Sequence, residues 1–136
     1  MSQSEIRAAL ETGLTTVAGG ISTAWENDIF TPVAGTPYQM AFLLPAKPLS
    51  PEIGVKGFYQ EQGIFQVTLR YPLNNGPGNA EAQAQAIRNT FYQGAMFTNG
   101  STTVMVISPA AIGRGSPEGD RWSVPVKITY VANAFG

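Results

Sequence analysis

The side chains that most often do chemistry in proteins are missing from this sequence, whose 136 residues include neither histidine nor cysteine. Without them there is no imidazole base, no thiolate nucleophile and no nitrogen or sulfur ligand for zinc. No disulfide can form either. What remains are carboxylates, hydroxyls and lysines. The close acidic pairs are Glu5 with Glu11, Glu26 with Asp28, and Glu118 with Asp120. Glu26 and Asp28 stand two apart, so on an extended segment both would point to one side and could meet a hard cation such as calcium or magnesium. Two carboxylates supply too few oxygens for a tight site. Glycoside hydrolysis needs two opposed acids across a large cleft, which nine scattered acids in so short a chain do not suggest. Gly76-Pro77-Gly78 stands before a helix start, where phosphates often rest on backbone amides, but no Lys-Ser or Lys-Thr pair follows it. Gly113-Arg114-Gly115 is a second isolated match, equally weak. Trp25 and Trp122 offer rings for base stacking, yet Trp122 falls on an inward strand stripe and reads as core. The expectation is a non-enzyme with no catalytic residue, no cofactor and no metal.

Charge points the same way. Asp, Glu, Lys and Arg make up 12% of the chain, about half of the roughly 25% usual in soluble domains. Eight basic and nine acidic residues leave a net charge of -1, without the basic excess that phosphate neutralisation calls for. A surface so poor in charge is weakly protected against self-association, which favours burial in an assembly. The N-terminal MSQSEIRAALETGL has no basic start followed by an apolar run, and no apolar stretch approaches the ~20 residues of a membrane span. A soluble protein kept in the cell that makes it is expected.

These residues must be held by a small number of elements. Ser2 and Glu5 have capping-box spacing, and Ile6, Leu10, Leu14 and Val17 recur as one apolar helical stripe that Gly19 and Gly20 stop. A short extended piece around Trp25 and turns at Pro32, Gly35 and Pro37 lead to an apolar strand, Tyr38 to Leu44. The pattern fails from Pro45 to Gly63, a long exposed loop or an extended hairpin. Val55, Phe58 and Tyr59 are apolar there without a core face. The clearest strand follows, with Phe65, Val67, Leu69 and Tyr71 alternating with Gln66, Thr68 and Arg70. It ends at Pro72. Asn79 is placed to cap a second helix, lined inward by Ala80, Ala84, Ile87 and Phe91, with Glu81 near the positive end of its dipole. Asn99-Gly100 marks a type I′ hairpin. Pro109 to Asp120 lacks any pattern. In the last strand Trp122, Val124, Val126, Ile128 and Tyr130 face one way and Arg121, Ser123, Pro125, Lys127 and Thr129 the other. Pro125 cannot donate to a ladder, so this strand is expected at an edge or bulged there. The whole reads as one α+β domain, residues 1–136, with a mostly antiparallel sheet and two helices packed on one face.

Several blocks, in this order and at these separations, resemble the tail terminator (tail completion) proteins of long-tailed bacteriophages and prophages. They are IRAALETGL, TAWENDIFTPVAGTPY, EQGIFQVTLRYPLNNGPGNAEAQAQAIRNTF and VPVKITY, covering Ile6 to Tyr130. The long middle block is the most specific. The resemblance implies a virion tail protein assembled in the bacterial cytoplasm. It implies a homo-oligomer, a hexameric ring, capping the head-proximal end of the tail tube. Such a ring stops polymerisation and offers a surface to the head-tail connector, with DNA only passing through its lumen and no membrane partner. Other head-tail joining and minor tail proteins share these traits, and a small-molecule-binding α+β domain is the rival of another class. Ring closure requires one patch to meet a different patch. The expected contacts are the strand from Arg121 to Val131 as an edge, with Arg121, Pro125 and Lys127. From the Pro45 to Gly63 segment, Val55, Phe58 and Tyr59 are expected as anchors and Lys47 and Lys56 as rim charges. Arg70 and Arg114 are candidates for the lumen wall.

Overall fold

A computed structural model describes residues 3–17, 21–46, 58–74, 76–100 and 102–135, with backbone alone for residues 3, 58–60 and 133–135. The order of elements is helix α1 (Gln3–Thr15), strands β1 (Ser22–Ala24), β2 (Tyr38–Pro45) and β3 (Phe58–Pro72), helix α2 (Gly78–Thr90), and strands β4 (Met96–Asn99), β5 (Thr102–Val106), β6 (Ala111–Ile112), β7 (Ser116–Glu118) and β8 (Arg121–Phe135). All the strands belong to one sheet, ordered β1-β2-β3-β8-β5-β4, with β6 and β7 also on β8. Every pairing is antiparallel except β1 with β2. Among the described residues no helix is long and apolar enough to cross a membrane.

Both helical stripes meet one face of this sheet. Ile6, Leu10, Leu14 and Val17 on the α1 side and Ala80, Ala84, Ile87 and Phe91 on the α2 side are buried together with Phe65, Val67, Leu69, Val104, Val124, Val126, Ile128 and Tyr130. Alternation along each strand sends every second side chain into this layer. The α1 helix comes close because Gly13 has no side chain: a Cβ there would lie 2.6 Å from the Phe97 ring. Gly63 serves the β2–β3 crossing in the same way, since a Cβ would sit 2.6 Å from the Leu44 carbonyl oxygen and 2.7 Å from the Tyr130 hydroxyl.

Four expectations are corrected. The strand that begins at Arg121 is not an edge: β8 pairs with β3 from residue 121 to 135 and is flanked on its other side by β5, β6 and β7 in turn. Its proline fits there because the partner bulges. From Ile112 to Ser116 the outer chain advances four residues while β8, from Val126 to Ser123, advances three. The Pro125 carbonyl accepts from the Gly113 amide at 2.8 Å, and the donor it lacks falls at this irregular step. The segment from Pro109 to Asp120 is therefore not patternless, since it supplies β6 and β7. The α2 helix begins at Gly78 with Pro77 as its N-cap residue, so Asn79 lies inside the first turn; proline is well suited to a helix start. Finally, the expected hairpin forms between β4 and β5, but Asn99 pairs with Thr102 and so flanks the turn instead of occupying it, while Gly100 takes the positive φ of 59°. Of the Pro45 to Gly63 segment, residues 58–63 form the start of β3, the hairpin alternative. Ser2, Gly19 and Gly20 lie outside the described residues.

Candidate interaction surface

With both described helices on one face, the other face of the sheet has no helix over it among the described residues. Strand register lays out its rows. Tyr38, Arg70, Ser123 and Ser116 stand side by side on β2, β3, β8 and β7, and next to them stand Met40, Thr68 and Pro125. Phe42, Gln66 and Lys127 form the next row, then Leu44, Ile64 and Thr129. The rows are mostly apolar and hydroxyl-bearing, with Arg70 and Lys127 as their charged members.

The segment between β1 and β2 folds over one end of this face and is fastened by Arg121. Its guanidinium donates to the carbonyls of Thr36 and Val33, the latter at 2.8 Å, and lies 5.0 Å from the centre of the Tyr38 ring. Arg121 is 4% exposed. It is held inside its own chain, whereas the sequence suggests an outward contact. Beyond the fastening, Ile29 is 95% and Val33 65% exposed. Glu26, at the root of the same segment, accepts from the Arg7 guanidinium at 2.8 Å and from the Leu43 amide at 3.0 Å. Those two bonds hold its carboxyl below the usual carboxylate range. Glu26 is thereby an internal brace, and Asp28 instead accepts from the Ile29 amide at 2.8 Å.

Beside this loop lies a depression of about 370 Å³. Met40 and Phe42 floor it from β2, Gln66, Thr68 and Arg70 from β3, and Ser123 and Pro125 from β8, while Arg114, Ser116 and Glu118 form its outer wall. Arg70 reaches the Glu118 carboxylate at 3.3 Å and the Glu118 carbonyl at 3.4 Å, both long contacts. Its Nε, and the hydroxyl of Ser123, are buried without a hydrogen-bond partner among the described residues. The Gln66 amide donates to Thr68 at 3.0 Å, which leaves the Thr68 hydrogen available to a guest.

The glycine-arginine-glycine motif has its explanation here. A Cβ on Gly113 would meet the Pro125 ring at 2.7 Å, and one on Gly115 would meet Trp122 at 2.5 Å. The two glycines let the bulge lie flat on β8, and Arg114 between them is exposed at the rim. The Gly76-Pro77-Gly78 turn lines a separate cleft of about 360 Å³ with Pro72, Leu73, Pro117 and Trp122, an apolar and proline-rich wall.

Of the residues expected to make contacts, the structure brings Arg114 and Pro125 to the depression, with the exposed Lys127 in the next row. Phe58 and Tyr59 pair through their backbones with Phe135 and Ala134. Lys47, Val55 and Lys56 lie outside the described residues. Sequence reasoning gave no contact role to Met40, Phe42, Ser123 or Ile29, and weighed Asp28 only as half of a cation pair with Glu26. The alternation of residues 38–45 could have exposed the first two, whereas nothing local marks Ser123 as facing a hollow.

A family model described as phage tail terminator protein matches residues 5–130. Among solved structures, one chain without a functional description is 29% identical, with a TM-score of 0.78 over 97% of this chain and 96% of its own. Another, from the virion of a native gene transfer agent particle, shares the fold at 17% identity, with a TM-score of 0.64 over 98% of this chain and 96% of its own. No curated protein matches.

Proposed function

The chain belongs to the phage tail terminator family, a structural family of the virion tail, and from that premise we propose that it forms a hexameric ring on the head-proximal end of the tail tube. The ring halts addition of tube subunits and presents a surface to the head-tail connector. Its partners are thus further copies of itself, the tube protein and the connector, and DNA passes through the lumen. Assembly takes place in the cytoplasm of the host bacterium.

One observation supports this reading above the others. A sheet face that no described helix covers, on which Met40, Phe42 and Pro125 stand beside the cations of Arg70, Arg114 and Lys127, is left open by a chain whose described helices both pack on the opposite face. Such a face is suited to contact with other proteins, since it sets apolar side chains beside charges that a complementary partner can meet. Because a ring closes through two different patches, the open face and a separate projection must meet. With β8 internal, the expected edge pairing is replaced by contacts made from that face, where Arg114, Pro125 and Lys127 lie. Lys47, Val55, Lys56, Phe58 and Tyr59 are proposed to contact the tube or the neighbouring subunit. The test is removal of the gene from its phage followed by electron microscopy. Tails of uncontrolled length without heads are expected; tails of normal length bearing heads would overturn the proposal.

A further inference from the structure

Two features of the chain are unfinished in a complementary way. The depression on the face without a described helix holds donors that lack acceptors among the described residues: the Arg70 Nε and the Ser123 hydroxyl are buried and unpartnered there, and Ser123 as a whole is 3% exposed. Buried polar groups normally find partners, and an unmade bond there costs about 1–3 kcal/mol. Arg70 and Arg114 against Glu118 leave the depression one positive charge in excess, in a chain whose net charge is -1. Its floor of Met40, Phe42 and Pro125 is apolar. The guest it fits is an acceptor-only carboxylate next to an aliphatic side chain.

The other feature is that guest. Asp28 carries an exposed carboxylate at the tip of the loop fastened by Arg121, and its neighbour Ile29 is 95% exposed. So exposed an isoleucine does not fill the depression of its own chain, while Asp28 borders an adjoining hollow that shares Met40 and Phe42 with it. Resting on the ring reading above, we propose that the Asp28–Ile29 tip of one subunit seats in the depression of the next, with Asp28 bridging Arg70, Arg114 and Ser123 and Ile29 against Met40 and Phe42. The two patches differ, as ring closure requires. Duplex DNA is the less suitable guest, because a phosphate backbone would leave the apolar floor of Met40 and Phe42 uncovered.

The experiment uses two single variants of the whole chain, Asp28→Lys and Arg114→Glu, both at exposed positions. Self-association is followed by sedimentation velocity and native mass spectrometry. Each variant alone, keeping the wild-type melting temperature, is expected to associate at least about tenfold more weakly than wild type. An equimolar mixture is expected to recover, because the lysine introduced into one variant then meets the glutamate introduced into the other, while the native Asp28 of the second meets the native Arg114 of the first. Wild-type association by Asp28→Lys, or a mixture no better than its components, overturns this contact and leaves the ring reading standing. A wild-type chain that stays monomeric even with tail tubes overturns both. Retention of duplex DNA that Arg114→Glu abolishes, with self-association intact, assigns the depression to nucleic acid and also overturns the proposal.

Discussion

Replacing Arg121 by methionine separates the role this side chain has in the fold from the role its sequence position suggests. The guanidinium makes two hydrogen bonds to carbonyls of the β1–β2 connection and stacks on Tyr38. Hydrogen bonds to a charged donor are worth about 1.5–3 kcal/mol each, and the ring contact adds about 0.5–1. Against this, Val33 and Thr36 are exposed, so their freed carbonyls regain water, and the cost of burying the guanidinium is removed. Methionine keeps most of the buried apolar volume. The balance is a loss of about 2–3 kcal/mol, which at about 3 °C per kcal/mol lowers the melting temperature by about 6–9 °C. Calorimetry measures the total. Hydrogen exchange localises it, with protection of the amides at 33–38 falling before that of β3 and β8. A variant that melts within about 2 °C of wild type while failing to assemble would refute the reasoning and return Arg121 to an interface.

Gly63→Ala places a methyl group against the Leu44 backbone and the Tyr130 hydroxyl, so it is expected to destabilise by about 1–3 kcal/mol in urea titrations. Phe91→Ala empties a fully buried ring site between α2 and the sheet and should cost about 3–5 kcal/mol, read the same way. Burial, with a smaller push from Glu61, moves the Tyr130 phenol up to about 12. The unfolded chain therefore gives up this proton first, so the contribution is complete below about pH 10 and declines between pH 10 and 12, at up to about 1.4 kcal/mol per unit. Tyr130→Phe removes a buried hydroxyl without a partner, should leave stability at neutral pH unchanged or higher, and should flatten the alkaline decline in pH-dependent unfolding. Glu26→Gln breaks an exposed ion pair with Arg7 and should cost under about 1 kcal/mol at pH 7, measured by thermal melts.

Much of the fold was legible because its signals are local. The 4-4-3 stripe of α1, the alanine-lined face of α2 and the alternation of Phe65 to Tyr71 and Trp122 to Tyr130 each encode which side is buried, and all four stripes meet in one core. Position within the sheet is not local. Pro125 signalled a broken ladder, but an edge and a bulged neighbour break it alike. Only the extra residue between Ile112 and Ser116 decides for the bulge. Strands as short as β6 and β7 are too brief to show a period, so the stretch that holds them reads as loop. The candidate interaction surface was the least legible part. Arg121 looks like an outward charge until Val33 and Thr36, more than eighty residues earlier, fold over it. The depression draws residues from β2, β3, β7 and β8, and no window along the chain contains them together.

The most direct test of the central claim is growth of tail tubes from purified tube protein with and without this chain, with tube ends imaged and lengths measured by negative-stain electron microscopy. Six-fold rings seated at one end of each tube, and growth arrested at that end as the chain is added, are expected. Tubes that lengthen at an unchanged rate, with bare ends and the chain left free in solution, would contradict that claim.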